Sequence, residues 1–166
     1  MPTVSATPPA RLTVSSGVFK LFRTLRDTSW AFDTRGDLCF RAVTIELGLK
    51  GEATMVVGAD ETAFFQGTGD ADVLSTPRLL QLMQEATMDA LADNLPEGMM
   101  TAGLRVNLDH LHSSRIGTEV TSSATLTRIE GRRLVFEAEA HALDQLVGTG
   151  RIIRVQIDRE RFLANL

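Results

Sequence analysis

The stretch that decides the fold runs from residue 76 to residue 91 and reads TPRLLQLMQEATMDAL. Leucine, methionine and alanine dominate it and leave little purely polar surface on a helix, so the helix is expected to be buried on most sides. Thr76 suits the N-cap, and Pro77 suits the first helical position, where a missing N–H costs nothing. Pro96 and Gly98 follow, and we expect the helix to end before them because proline cannot continue the hydrogen-bond ladder.

The segments around this helix alternate with a period of two, which is typical of strands. One strand is predicted before the helix, at residues 52–57, and a Gly-rich loop at 67–72 separates them. Further strands are predicted at 102–108, 120–129 and 134–140, and Gly148 and Gly150 predict a bulge before the last one. The last strand has Ile153, Val155 and Ile157 on one face and Arg154, Gln156 and Asp158 on the other.

One long buried helix followed by an antiparallel meander predicts an α+β domain whose curved antiparallel sheet wraps around one central helix, the hotdog fold. A ferredoxin-like fold would need a second helix before the final strand, and residues 120–158 contain no such pattern. A sheet wrapped around one helix leaves edges open. We therefore expect two copies to associate as a homodimer.

Composition narrows the class of protein further. The chain has 166 residues with 43% hydrophobic, enough for one domain, which we assign to residues 44–166. Its net charge of -4 argues against a nucleic-acid partner, and it has no apolar run of the roughly 20 residues needed to cross a bilayer. Cys39 is the single cysteine, so we expect a reducing compartment, no internal disulfide and no zinc site built on several thiolates. The spacing of Asp109 and Asp144 to the histidines indicates no other metal site.

The first 43 residues differ from the rest. No acidic residue precedes Asp27, and Val18, Leu21, Phe22 and Leu25 recur at helical spacing opposite basic residues. We interpret this segment as a poorly structured N-terminal extension, disordered or with one short basic amphipathic helix. Its composition is also typical of a mitochondrial transit peptide. We expect a cytoplasmic protein, with the mitochondrial matrix as the alternative if the segment is a targeting signal.

Five short motifs follow one another along the chain: VLSTP at 73–77, LMQEA at 82–86, TAG at 101–103, GTEV at 117–120 and EGRRLVF at 130–136. Together with His110 and Arg154, their order and spacing over about residues 45–162 resemble the fluoroacetyl-CoA thioesterase-like family of hotdog proteins. The resemblance implies hydrolysis of the thioester of a small acyl-coenzyme A. Coenzyme A would then be part of the substrate, and no separate cofactor is implied.

The resemblance also implies an active site. That family uses a threonine at the helix start, a glutamate about two turns later and a histidine at a strand end, positions that fall on Thr76, Gln84 and His110. Thioester hydrolysis needs an activated nucleophile or water, a proton carrier near neutral pH, and hydrogen-bond donors for the oxyanion. A backbone N–H near Gly103 or at the helix N-terminus is a candidate donor, and Arg154 is a candidate substrate-binding residue.

Gln84 departs from the family pattern, because an amide is neither a nucleophilic carboxylate nor a general base. Glu85 is adjacent, but one step along a helix turns a side chain by about 100 degrees, so we expect it to face elsewhere. Two hypotheses remain open. Either Gln84 orients a water that His110 deprotonates with help from Thr76, or the protein binds acyl-coenzyme A and hydrolyses it weakly or not at all.

The same residues also have structural interpretations. Thr76 can act as a helix cap alone, and His110 can be a hydrogen-bonded core residue, with His112 as the reactive histidine instead. Asp109 beside His110 points to the opposite sheet face, which argues against a hotdog hydratase. The aromatic residues that line the acyl pocket in the family are replaced at 70–73 by Asp, Ala, Asp and Val, so selectivity for fluoroacetyl groups is not expected.

Overall fold

The computed structural model describes residues 44–166, so the interpretations of residues 1–43 lie outside the described residues. A 3-10 turn at Ala59–Glu61 precedes the long helix. All the predicted strands are present, and a short C-terminal helix is an addition that the sequence pattern did not predict. The elements in chain order are β1 (Lys50–Val56), α1 (Thr76–Leu91), β2 (Met99–His110), β3 (Glu119–Glu130), β4 (Arg133–Ala142), β5 (Gln145–Asp158) and α2 (Arg159–Leu163).

The five strands form one antiparallel sheet in the order β1-β3-β4-β5-β2. β1 and β2 are therefore its edges, and the sheet curls around α1. Cross-strand pairs such as Met55 with Val120 and Phe136 with Ile152 place apolar side chains toward the helix. This confirms the predicted α+β hotdog architecture.

Helix α1 begins differently from the prediction. Ser75 is the N-cap: its hydroxyl accepts from the Arg78 N–H at 3.2 Å, and its carbonyl accepts from the Leu79 N–H at 3.0 Å. The expectation that Thr76 is the cap is wrong, because serine caps equally well one residue earlier. Thr76 is the first helical residue, and its hydroxyl contacts His110 on β2 instead of capping the helix.

The buried face of α1 packs so closely on the sheet that some strand positions must be glycine. A Cβ on Gly51 of β1 would overlap the backbone of Ala86 and Ala90. A Cβ on Gly148 of β5 would lie 2.8 Å from the Asp109 carbonyl and 3.0 Å from Leu79. The absence of a side chain at these two glycines lets the helix approach both β1 and β5 closely.

The two faces of strand β5 differ in burial. Ile152 and Arg154 point inward, with Ile152 fully buried and Arg154 6% exposed, while the alternating set Ile153, Val155 and Ile157 lies half-buried on the outer face. The register shifts between Ala140 and His141 of β4, beside Gly148, so an irregularity lies where the glycines predict one. None of the helices between residues 44 and 166 is long and apolar enough to cross a membrane.

Candidate active site

The start of α1 meets the end of β2. Thr76 Oγ1 and His110 Nδ1 lie 3.0 Å apart, within hydrogen-bonding distance. The segments on either side are tied together, because the Leu74 N–H donates to the Ser114 carbonyl at 2.8 Å and Val73 bridges to Arg115. The fold thus brings together two residues that are 34 positions apart in the sequence.

The environment of His110 keeps its ring neutral. Burial lowers its pKa below the ordinary value of 6.5, and a backbone hydrogen bond with His112 acts in the opposite sense without cancelling that effect. The other ring nitrogen, Nε2, is buried and has no hydrogen-bond partner within residues 44–166. Nδ1 contacts Thr76, so Nε2 is the ring nitrogen that is not engaged by the described residues. A neutral imidazole with one free nitrogen is suited to accept a proton.

The other two histidines are placed differently. His112 is exposed, and its Nδ1 lies 2.8 Å from the carbonyl of Leu146, the second residue of β5, which holds the ring against the start of that strand. His141 pairs in register with Thr121. Neither ring has a hydrogen bond to Thr76 in the described structure.

Gln84 and Gly103 form a second pair. Gln84 is half-buried on α1, and a Cβ added to Gly103 would lie 3.2 Å from its Oε1, so glycine leaves room for the amide. Glu85 faces away as expected, toward Arg78 and Gln81, whose amide donates to its carboxylate at 2.9 Å. Gln84 is therefore the amide that points toward β2.

The two pairs lie apart within one chain. Gly103 and His110 are seven residues apart on the same strand, roughly 23 Å at 3.3 Å per residue. Thr76 and Gln84 are separated by eight residues of helix, about 12 Å along its axis. The structure brings Thr76 to His110 and Gln84 to Gly103, and it does not bring all four into contact.

Donors at the helix N-terminus are mostly occupied. Pro77 has no N–H, and the N–H groups of Arg78 and Leu79 both donate to Ser75. An oxyanion would therefore find few free backbone donors in the first turn of α1. Of the two candidate donors, the backbone near Gly103 therefore stays the candidate oxyanion donor.

Arg154 lies behind Gln84 in the interior. Its guanidinium donates to Thr101 Oγ1 at 3.0 Å, to the Thr101 carbonyl at 3.3 Å and to Thr87 Oγ1 at 3.3 Å, and Thr87 in turn donates to the Gln84 carbonyl at 2.7 Å. Burial lowers its pKa from the ordinary value of 12.5. No carboxylate within the described residues pairs with it. Arg154 thus supplies an internal positive charge close to Gln84, and its side chain does not reach the surface.

Sequence reasoning missed the residues that support this start of the helix. Arg78 donates to Glu61 at 2.9 Å, and the Ser75 hydroxyl contacts the Gln66 side chain, so the loop before α1 is fastened to its first turn. The serine before Thr76 was the available signal. Among residues 44–166, no group of three histidine, cysteine or acidic side chains could hold a metal ion.

A curled antiparallel sheet around one helix, with a hydroxyl and a neutral imidazole in contact at the helix start, places the chain among the hotdog thioesterases. Within that class the model of the fluoroacetyl-CoA-specific thioesterase family matches residues 57–160, and the chain belongs to this family. A fluoroacetyl-CoA thioesterase from Streptantibioticus cattleyicolor is 32% identical over 95 residues, which cover 57% of this chain and 68% of the relative.

Solved structures show the same likeness. A fluoroacetyl-CoA thioesterase structure superposes with a TM-score of 0.67 and 27% identity, covering 73% of this chain and 94% of the other. A thioesterase-superfamily protein from Thermus thermophilus gives a TM-score of 0.69 and 28% identity, covering 73% and 90%.

Proposed function

We propose that the protein is a thioesterase that hydrolyses a small acyl-coenzyme A, with coenzyme A present only as part of the substrate. The observation that carries this proposal is the contact of Thr76 with His110, together with the buried and unpaired Nε2 of the same ring. Membership in a family of acyl-CoA thioesterases supports the reaction type. The relatives do not decide the acyl group.

The reaction begins with water. When the Nδ1–H of His110 donates a hydrogen bond to Thr76 Oγ1, the ring is held in the tautomer that leaves Nε2 unprotonated and able to act as a base. Nε2 then takes a proton from water as the water oxygen attacks the thioester carbonyl carbon. The C–S bond breaks, the coenzyme A thiolate takes that proton from Nε2, and a carboxylic acid and free thiol result.

A second mechanism uses the same contact. If Thr76 instead donates to Nδ1, its hydroxyl becomes the nucleophile: Nδ1 takes the hydroxyl proton as Oγ1 attacks the carbonyl carbon, the C–S bond breaks, and the departing coenzyme A thiolate takes that proton from Nδ1. Water then hydrolyses the acyl ester on Thr76 to the carboxylic acid and restores the hydroxyl. The 3.0 Å distance fits both proton positions. The unpaired Nε2 favours the first, because direct attack by Thr76 leaves that nitrogen without a role.

The other half of the site is supplied by a second copy of the chain in our proposal. β2 is an edge strand with an exposed Leu104, so two copies can pair antiparallel through it. A two-fold axis between Val106 and Asn107 would place Gly103 of the partner subunit opposite His110. Gln84 of the partner subunit would then orient the attacking water, and the Gly103 backbone would face the developing oxyanion.

A protein that binds acyl-coenzyme A without turnover is the alternative. This alternative requires that Gln84, in place of the glutamate that the resemblance implies, inactivates the site. Nothing in the comparisons supports that alternative, and the relatives whose names state an activity are thioesterases.

The proposal is tested by incubating the purified protein with acetyl-, propionyl- and butyryl-coenzyme A and measuring free thiol. We expect release with at least one of these substrates and its loss in His110→Ala. Mass spectrometry of the protein during turnover should find no acylated Thr76. An acyl adduct on Thr76 would replace the water mechanism by the covalent one, and no thiol from any substrate would contradict the proposed function.

A further inference from the structure

A second cleft lies away from Thr76 and His110, at the C-terminal end of the chain. It has a volume of about 410 Å³ and is formed by α2, the end of β5 and the turn between β3 and β4. Arg132, Arg161 and Phe162 line it together with Ile157 and Asp158. Arg132 and Arg161 are exposed, and Phe162 is 40% exposed. The cleft therefore combines two cations with an accessible aromatic ring.

Arg132 and Arg161, like several other exposed arginines, form no ion pair with a carboxylate of the described residues. Arg78, Arg128 and Arg151 each form an ion pair with a glutamate, at 2.9, 3.5 and 2.8 Å. The acidic group in the cleft is Asp158, and its carboxylate already accepts the Arg161 N–H at 2.8 Å as the cap of α2. The cleft thus carries unpaired positive charge in a chain whose net charge is -4.

This charge has a specific chemical preference. Guanidinium groups bind phosphate oxygens through paired, charge-assisted hydrogen bonds. Phe162 and Ile157 offer flat apolar contact, on which a purine ring can stack. A ligand with both features is a phosphorylated nucleoside, and the substrate of the proposed function ends in one.

The position of the cleft is compatible with that ligand. Ile157 pairs with Met100, which is three residues from Gly103 on β2, roughly 10 Å at 3.3 Å per residue. The backbone fixes the walls on both sides, since the Gln156 N–H donates to the Arg132 carbonyl at 2.8 Å and the Arg159 N–H donates to the Gly98 carbonyl at 2.9 Å. A pantetheine arm can span the distance between the Gly103 end of the site and this cleft.

We infer that the cleft between α2 and the turn at Arg132 binds the adenosine phosphate end of coenzyme A. Arg132 and Arg161 contact phosphate oxygens, and the adenine ring stacks on Phe162. This inference rests on the proposed function, because it assigns the part of the same substrate that does not react.

The test compares two substrates with the same acyl group, acyl-coenzyme A and acyl-pantetheine, which lacks the nucleotide. In the double variant Arg132→Ala, Arg161→Ala we expect the preference for acyl-coenzyme A, as a ratio of kcat/KM values, to fall at least about tenfold through a higher KM. Arg151→Ala is the matched control, because it removes an exposed arginine that lies outside the cleft and is paired with Glu137. An unchanged preference in the double variant would overturn the inference.

Binding measurements separate this inference from the proposed function. Calorimetry with coenzyme A, adenosine 3′,5′-bisphosphate and inorganic phosphate needs no turnover. We expect the first two to bind the wild-type chain and to lose at least about tenfold in affinity in the double variant. Equal binding of inorganic phosphate alone would show a phosphate site without nucleotide recognition and would contradict the assignment. Nucleotide binding without hydrolysis would contradict the proposed function and leave the cleft assignment standing.

Discussion

The two ends of strand β2 carry different chemistry. At its C-terminal end, His110 is a half-buried neutral base in contact with Thr76. Toward its N-terminal end, Gly103 faces an amide, Gln84, whose backbone carbonyl is linked through Thr87 to the buried guanidinium of Arg154. One end can move a proton, and the other can only donate and accept hydrogen bonds.

In our proposal this difference explains how a chain with Gln84, at the position where the resemblance implies a glutamate, can still hydrolyse a thioester. In the proposed mechanism a base is needed once, and His110 supplies it. The amide end then needs to hold water and the oxyanion, which hydrogen bonds alone can do. The two ends are roughly 23 Å apart along the strand. They therefore share a reaction in our account only when a second copy pairs with β2.

Removing the base should have the largest effect. We expect His110→Ala to lower kcat by about 10²- to 10⁴-fold, because general base catalysis contributes that much. Thr76→Ala should lower kcat less, since Thr76 fixes the tautomer of the ring, and Thr76→Ser should restore most of the rate. Steady-state kinetics and thermal unfolding of the same samples check this. A loss of less than about tenfold in a folded His110→Ala variant would contradict the difference between the two ends.

The pH profile should show one ionisation on the acid side. The lowered pKa of His110 means that the neutral, active form persists below pH 6.5, and activity is lost as the pH falls through that lowered pKa. Below it, kcat/KM should fall about tenfold per pH unit. Gln84 does not ionise and should add no second slope, whereas a glutamate there would. A steeper slope in the wild-type profile would indicate a second essential acid that the account does not contain.

Changing the amide end should have a smaller effect. We expect Gln84→Glu to lower kcat by about fivefold to tenfold, because a carboxylate accepts but cannot donate hydrogen bonds and disfavours a developing oxyanion. Gln81→Glu, which adds the same charge on the exposed side of α1, is the control. An increase in kcat in Gln84→Glu would show that Gln84 impairs the site.

Much of the fold follows from local patterns. Period-two segments around one apolar helix predicted the strands, their order along the chain and a curved antiparallel sheet; the strand order within the sheet comes from the structure. The approach of Thr76 to His110 follows from the same arrangement, since one begins the helix and the other ends a strand. The roles of these residues remain predictions.

The failures have physical causes. Ser75 and Thr76 are both good caps, so composition alone could not place the start of α1. On β5, apolar alternation separated Ile153, Val155 and Ile157 from Arg154 but did not decide which set faces α1; the helix packs close to Gly148 and Gly150, and Arg154 follows them on that face. The distance between Gln84 and His110 depends on the full length of β2, which turn signals did not define.

The most direct test of the shared site mixes two impaired variants. His110→Ala and Gln84→Ala are unfolded together, refolded as a mixture to exchange subunits, and assayed for thiol release. If each site combines His110 of one copy with Gln84 of the other, mixed dimers contain one intact site, and the mixture should recover about a quarter of the wild-type rate. A rate equal to the average of the two separate variants would contradict the account.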